Sequence, residues 1–185
     1  MMQTRRRILA GLGALCLAAP ALAQTRVEIP QDWLPRDIAI EAGAPVNFIQ
    51  VDTAGLWLYL TTAPGVARRY KIAVGAAGRN FSGVAQVGRK AEWPAWTPTA
   101  NMIRQEPEIY LPYRHGLPGG HEMNPMGARA LYLYAGNRDT LYRIHGTPQP
   151  WTIGQAFGSG CVRMLNDHVI DLYDRVAVGT QVLVA

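Results

Sequence analysis

The 185-residue sequence has little charge and almost no cysteine. Only 17% of its residues are charged and 49% are hydrophobic, a balance that excludes an intrinsically disordered chain. Two cysteines and four histidines do not form a cluster with metal-ligand spacing, and the loop histidines His115 and His121 lack further ligands nearby in sequence. We therefore predict no metal site, and the length favours one domain over two.

No apolar stretch is long enough for a comfortable transmembrane helix. The run ILAGLGALCLAAP follows three arginines at 5–7 and precedes Ala21-Leu22-Ala23, the small-x-small pattern of a signal-peptidase site. We predict a signal peptide over residues 1–23 and export to the periplasm, with an uncleaved anchor as the alternative. The arginines are also compatible with the twin-arginine export route.

Cleavage changes both the charge and the cysteine count. Losing residues 5–7 reduces the 18 basic residues to 15 against 13 acids, so the net charge falls from +5 to +2. Nucleic-acid binding then loses its main support. Cys16 leaves with the signal, so Cys161 is the only thiol and an intramolecular disulfide is excluded. Because a free thiol in an exported protein is prone to oxidation, its presence indicates a chemical role.

Strand patterns dominate the chain after a proline-punctuated N-terminal extension at 24–45. We predict strands at 46–52, 56–62, 70–75, 130–136, 140–146 and 181–185. Residues 76–129 are rich in glycine and proline and predict long loops, which are usually functional in a compact domain. One helix is predicted, with Asn166 as its N-cap, His168 facing solvent and Gly179 at its end. The predicted fold is mostly β, a sandwich or barrel-like domain with a few short helices.

One histidine and one cysteine lie sixteen residues apart in IHGTPQPWTIGQAFGSGCVRM, residues 144–164. A cysteine nucleophile needs a base, and His145 at a strand end can serve Cys161 in the loop before the helix. The glycines of 158–161 suit a turn whose backbone N–H groups receive an oxyanion. Spacing alone leaves open a small buried cysteine and a histidine that makes only a local hydrogen bond.

These residues resemble the signature of the L,D-transpeptidases, the YkuD-type catalytic domain. The matching segments, in order, are KAEWPAWTPT (90–99), NPMGARALYL (124–133), IHGT (144–147), WTIG (151–154), SGCVRM (159–164), Asn166 and DLY (171–173). The resemblance covers residues 46–185, which we take as the catalytic domain. It departs at Gly158, where the family often has serine, and at Asn80–Gly83, where the family has a Thr-Pro-x-Gly turn.

The resemblance implies a cysteine acyltransferase that needs no cofactor. Cys161 is then the nucleophile and His145 the general base and later the acid. The backbone carbonyl of Gly146 orients the imidazole, the part that an aspartate plays in other triads. The backbone N–H groups of Ser159, Gly160 and Cys161 form the oxyanion hole.

Arg163 matches the family's arginine. It is expected either to shape the site or hold a substrate carboxylate, or to form a plain salt bridge to Asp167 or another acid. Three aromatic residues of the long middle region are expected either to line a substrate cleft or to pack in the core: Trp93, Trp96 and Tyr113.

The resemblance further implies a reaction in cell-wall remodelling. Cys161 attacks the carbonyl of the diamino acid at position three of a peptidoglycan tetrapeptide stem, and the terminal D-alanine leaves. A neighbouring stem, an outer-membrane lipoprotein lysine or a free D-amino acid then resolves the thioester. If water does so, the enzyme is an L,D-carboxypeptidase. Carbapenems are expected to acylate the same thiol.

Two other classes of protein remain as alternatives. A sortase-like or papain-like cysteine enzyme is one, although the sixteen-residue spacing and the adjacent Cys-x-Arg argue against it. A non-catalytic peptidoglycan-binding domain is the other, and it requires loss of a nucleophile or base that this chain retains.

Overall fold

Nine strands form one sheet in the computed structural model, which describes residues 27–185; the predicted signal peptide and Cys16 lie outside these residues. The strands are β1 (Arg36–Ala39), β2 (Phe48–Asp52), β3 (Trp57–Ala63), β4 (Val66–Lys71), β5 (Gly83–Glu92), β6 (Arg129–Ala135), β7 (Arg138–His145), β8 (Val162–Arg163) and β9 (Gln181–Val184). The α-helices are α1 (Ala100–Gln105), α2 (Pro107–Tyr110) and α3 (Asn166–Arg175). Short 3-10 turns occur at Gln31–Trp33, Leu111–Tyr113 and Pro150–Thr152. The prediction of a mostly β domain with a few short helices is confirmed.

The strand order is β1-β4-β3-β2-β9-β5-β6-β7-β8. The β2–β9 and β7–β8 pairs are parallel and the other pairs are antiparallel. Leu58 of β3, Val87 of β5, Leu131 of β6 and Leu172 of α3 all belong to one buried cluster. Strands from both halves of the sheet share this core, so the sheet folds over on itself with α3 packed against it.

Strand β5 lies in the middle region that the sequence predicts as loops. Its sequence, GVAQVGRKAE, contains Gly88, which interrupts the apolar pattern of the strand. Gly88 lies against the ring of Tyr134 in β6, and a Cβ atom there would collide with that ring. The pairing register shifts at the same point, between Val87 and Arg89. The glycine is therefore explained by packing between strands, which the linear sequence does not reveal.

Helix α3 differs from its prediction at two residues. The N-cap is Leu165, and Asn166 is the first helical residue; the prediction of Asn166 as the cap is wrong. The side-chain oxygen of Asn166 accepts a hydrogen bond from the N–H of Ala128, at 2.9 Å. His168 is 6% exposed and does not face solvent, because the helical period places it one turn before the fully buried Leu172. None of the helices within residues 27–185 has the length and apolar character needed to span a bilayer.

Asp171, the acid of the DLY segment, ties α3 to β4. Its carboxylate accepts hydrogen bonds from Arg68 Nε at 2.7 Å, Tyr70 Oη at 2.7 Å and Arg175 Nε at 2.9 Å. Burial by itself raises the pKa of Asp171, but these donors outweigh it and lower the pKa to about 2. The charged form is therefore the one that the fold stabilises.

We expect Asp171→Asn to destabilise the protein at pH 7. The wild-type pKa lies below the unfolded value of 3.8, so the stabilisation is present above pH 4 and disappears as the pH falls towards 2. The shift corresponds to about 2 kcal/mol at neutral pH. Urea unfolding of both proteins at pH 7 and pH 3 measures it, with the exposed Asp174→Asn on the same helix as control. An equal difference in stability at both pH values would contradict this assignment.

Candidate active site

The parallel pairing of β7 with β8 brings the histidine and cysteine segments together. Ile144 pairs with Val162, and His145 pairs with Arg163. Ile144 and Val162 are buried in the main core. Because side chains alternate along a strand, His145 and Arg163 lie on the opposite face, and Cys161 directly precedes β8. The charges of Arg143 and Arg163 act on both His145 and Cys161, so the two side chains have these charged neighbours in common.

His145 is 4% exposed, and its ring is fixed by the next residue. Nδ1 lies 2.6 Å from the carbonyl oxygen of Gly146. A carbonyl oxygen can only accept, so Nδ1 carries the hydrogen and Nε2 keeps its lone pair. Burial, followed by the charge of Arg163, lowers the pKa of His145 to about 4, although the carbonyls of Gly146 and Met126 act in the opposite direction. The imidazole is therefore a neutral base at neutral pH.

The Cys161 thiol is half-buried and forms no disulfide. Its Sγ lies 3.9 Å from the carbonyl oxygen of Leu141. Burial raises the thiol's pKa, while the backbone N–H of Arg143 and the charges of Arg143 and Arg163 offset part of that rise. The resting pair is therefore a neutral thiol and a neutral imidazole, and the thiol loses its proton during attack.

The turn before Cys161 presents backbone donors. Gly158 and Gly160 have φ values of +92° and +120°, which only glycine adopts easily. Within residues 27–185, the N–H groups of Ser159, Gly160 and Cys161 have no hydrogen-bond acceptor. Three consecutive free N–H groups beside a thiol are the donors that a tetrahedral oxyanion requires.

Gly158, which departs from the family pattern, is required by this backbone. Its φ of +92° is unfavourable for serine, and a Cβ atom would lie 3.0 Å from a terminal nitrogen of Arg163. The glycine leaves space for the Arg163 guanidinium, which lies 4.7 Å from the centre of the Phe157 ring.

Arg163 does not form the salt bridge to Asp167 that the sequence leaves open, and no carboxylate of residues 27–185 lies within 4.0 Å of it. Its charge acts on both partners of the pair, since it lowers the pKa of Cys161 and of His145. Burial lowers the pKa of the guanidinium itself. A largely buried cation without an acid partner is suited to receive an anionic group of a ligand.

Residues 79–81, at the start of the segment that departs from the family pattern, contact the loop that carries Cys161. The Tyr142 hydroxyl donates to the carbonyl of Arg79 at 2.9 Å, and the Phe81 ring packs on the Tyr142 ring at 5.4 Å. Gly160 lies directly against both the Arg79 carbonyl and Tyr142, so no side chain fits at that position. Arg79 and Tyr142 therefore fix the position of Gly160.

The middle region contributes an aromatic group that the sequence did not single out. Tyr110 at the end of α2 lies with its hydroxyl 3.0 Å from the Ser159 hydroxyl. Trp96 packs on both Tyr110 and Tyr113, at 6.3 and 6.2 Å between ring centres, whereas Trp93 is 54% exposed. The sequence around Tyr110 has no motif that connects it with Ser159, 49 positions away.

The other histidines take no part in this arrangement. His115 and His121 are exposed, and His121 Nδ1 accepts the N–H of Met123 at 3.0 Å. The part of the chain from residue 27 onward holds no group of three or more His, Cys, Asp or Glu side chains that could bind a metal ion.

Comparison with known proteins gives consistent matches. The family model of the L,D-transpeptidase catalytic domain, YkuD, matches residues 47–184. The chain is 33% identical over 160 residues to the probable L,D-transpeptidase ErfK/SrfK of Escherichia coli K12, covering 85% of this chain and 48% of that protein. It therefore spans about half the length of this curated relative.

Two solved structures are also similar. A Brucella melitensis protein described as a probable carnitine operon oxidoreductase is 46% identical with a TM-score of 0.58, covering 85% of this chain and 96% of that one. An L,D-transpeptidase from Mycobacterium smegmatis has a TM-score of 0.55 at 16% identity, covering 75% of this chain and 58% of that one. At that identity the second likeness supports the fold alone.

We expect alkylation of Cys161 by iodoacetamide to accelerate only at alkaline pH, because the thiol's pKa is raised. In Arg163→Gln, loss of the neighbouring charge raises the pKa further and slows alkylation at pH 7 severalfold. Mass spectrometry follows the rate in chains that carry Cys16→Ser, and Arg104→Gln serves as the surface control. A rate that is already constant below pH 7 would show a preformed thiolate and contradict the neutral pair.

Proposed function

We propose that this chain, which belongs to the L,D-transpeptidase catalytic-domain family, is a cysteine acyltransferase acting on peptidoglycan tetrapeptide stems. The observation that carries this proposal is the arrangement of one neutral histidine and the thiol. His145 has its Nδ1–H occupied by the Gly146 carbonyl, and it shares the charged neighbours Arg143 and Arg163 with Cys161. A free thiol, a neutral base and free backbone donors are the components of acyl transfer.

In the first step, Nε2 of His145 takes the thiol proton while Sγ of Cys161 attacks the carbonyl carbon of the position-three residue. The carbonyl oxygen becomes an oxyanion, which receives hydrogen bonds from the N–H groups of the 159–161 turn. The imidazolium then gives its proton to the nitrogen of the leaving D-alanine, and a thioester remains. An acceptor amine attacks the thioester, and its proton passes through His145 back to the sulfur.

The low pKa of His145 helps the imidazolium to protonate the leaving D-alanine nitrogen. The imidazolium forms in a buried place beside Arg163 and Arg143, where a further positive charge is disfavoured. It is therefore a strong acid that passes its proton readily to the leaving amine. The protonated resting thiol also resists oxidation, because the thiolate is the form that oxidants attack.

The proposed place of action is the periplasm, and it rests on the signal pattern of residues 1–23. The oxidoreductase description of the Brucella protein suggests a different chemistry. The sheet over residues 27–185 has only two parallel pairs, β2–β9 and β7–β8, and lacks the consecutive parallel strands of a dinucleotide-binding fold. The sheet topology therefore gives no support to a dinucleotide-dependent reaction, and the geometry of the site favours acyl transfer.

We expect the folded protein to release D-alanine from a disaccharide tetrapeptide and to form a covalent carbapenem adduct. The reason in both cases is attack by Cys161 on an activated carbonyl. Intact-mass spectrometry detects the adduct, and muropeptide analysis detects the products. Cys161→Ala is expected to abolish both, whereas Cys16→Ser leaves both unchanged.

The products also identify the acceptor. Crosslinks between two position-three residues indicate a stem acceptor, exchanged D-amino acids indicate a free amino acid, and tripeptides alone indicate water. If neither an adduct nor a product appears, and Cys161→Ala leaves the cellular muropeptide profile unchanged, the non-catalytic alternative is favoured.

We further propose that Arg163 binds the carboxylate of the donor's terminal D-alanine, since it has no acid partner in the described chain. The wild type should then prefer a tetrapeptide acid over the matching C-terminal amide in KM, by about tenfold. Arg163→Gln should lose this preference, and Arg163→Lys should keep part of it. The ratio of the KM values for the two substrates is measured, because a change in the pKa of the thiol affects both values and cancels in the ratio. An unchanged ratio in Arg163→Gln would refute the assignment.

A further inference from the structure

The peptide that holds the imidazole is itself enclosed by two neighbours. The Gly146 carbonyl accepts the Nδ1–H of His145 at 2.6 Å. Gly127, with φ +61°, packs on the carbonyl carbon of Gly146, so closely that any side chain at 127 would collide with it. The side-chain oxygen of Asn166 occupies the space beside the α-carbons of both glycines. We call Gly127, Gly146 and Asn166 the carbonyl clamp.

Hydrogen bonds fix the preceding peptide, His145–Gly146, from both sides. The N–H of Gly146 donates to the carbonyl of Arg129 at 3.0 Å, and the carbonyl of His145 accepts the N–H of Met164 at 2.8 Å. These bonds place the His145–Gly146 backbone between β6 and the residues after β8. They do not involve the Gly146 carbonyl, whose direction is left to the packing of the clamp.

Asn166 is the member that joins the three chain segments. It is the first residue of α3, and its oxygen accepts the N–H of Ala128 at 2.9 Å, just after Gly127. This bond holds Gly127 against Gly146, because Gly127 and Ala128 are adjacent on one short segment. The segment is itself anchored by Asn124, whose amide donates to the carbonyls of Pro94 and Pro118, both at 2.9 Å.

The chemistry at position 166 is specific. An alanine there would leave the N–H of Ala128 without its acceptor and open space beside Gly146. An aspartate would keep the acceptor and the shape but add a negative charge near the imidazole. That charge would favour the imidazolium, which the positive charges of Arg143 and Arg163 now disfavour.

We propose that Asn166 is a positioning residue of the reaction: by holding Gly127 on Gly146 it fixes the Gly146 carbonyl on Nδ1 of His145 and so keeps Nε2 as the base. Asn166 touches neither the thiol nor the substrate in this scheme. The catalytic part of the inference rests on the proposed function, whereas the tautomer of His145 is a property of the resting protein.

The test measures the NMR signals of the His145 ring nitrogens in protein labelled with ¹⁵N-histidine. These signals are assigned by comparison with the spectrum of His145→Gln. In the wild type we expect the Nδ1–H tautomer, which titrates at a pKa of about 4. Asn166→Ala should give a mixture of tautomers, and Asn166→Asp should raise the pKa. The matched control is Asn137→Ala, an exposed asparagine in the β6–β7 turn, which should behave as the wild type.

The activity assay then separates the two proposals. With the tetrapeptide donor we expect Asn166→Ala to lower kcat about 10- to 100-fold with little change in KM. Asn166→Asp should move the acid limb of the pH profile to higher pH. Changed ring signals in a protein that never shows transpeptidase activity would refute the proposed function and leave the positioning role standing.

The positioning role is refuted if folded Asn166→Ala keeps the pure Nδ1–H tautomer and the wild-type pKa. Thermal melting establishes whether that variant folds. If Asn166→Ala does not fold, the test is made with Asn166→Asp, which retains the hydrogen-bond acceptor. An unchanged His145 pKa in this variant also overturns the proposal, and a raised His145 pKa supports it.

Discussion

The candidate site depends on one short piece of parallel pairing, Ile144 with Val162 and His145 with Arg163. The inward pair, Ile144 and Val162, is buried in the core, so its position is held by apolar packing. The outward residues inherit that position, because a strand cannot move one side chain without moving its neighbours. The placement of the His145 and Arg163 side chains therefore comes from the hydrophobic core, and the polar groups need only local bonds to set their final directions.

The electrostatics of the site follow from the same burial. A largely buried imidazole near two arginines is held neutral, and a thiol beside it has a raised pKa. Neither group is charged at rest, so no ion pair has to be desolvated within the fold. In the proposed reaction, charge appears on this pair only when substrate arrives, and the free N–H groups of the 159–161 turn are placed for the oxyanion at that moment. Arg163 then contributes a fixed positive charge close to both partners.

The family motifs have separate physical tasks in this structure. Gly146 of the His-Gly segment packs against Gly127 of the Asn-Pro-Met-Gly segment, and the side chain of Asn166 contacts both glycines. Asp171 of the DLY segment performs a different task, since it fastens α3 to β4 through two donors of β4, Arg68 and Tyr70. Residues far apart in sequence thus support either the direction of one carbonyl or the placement of one helix. The departure at Gly158 fits the same logic, because it gives Arg163 the space it occupies.

The sequence by itself determined the strands with clear alternation and the apolar stripe of α3, since these follow from local periodicity. It also predicted Cys161 and His145 as nucleophile and base from residue chemistry, and that assignment stays a prediction. It could not predict β5, whose Gly88 makes sense only against the ring of Tyr134. It also predicted Asn166 as the N-cap of α3 and His168 as facing solvent, whereas Asn166 is the first helical residue and bonds to Ala128, and His168 is buried. Only the tertiary structure decided these contacts, together with Tyr110 beside Ser159 and the absence of an acid partner for Arg163 in the described chain. The physical reason is that the energies of such contacts depend on groups brought close by folding, which the order of residues along the chain does not specify.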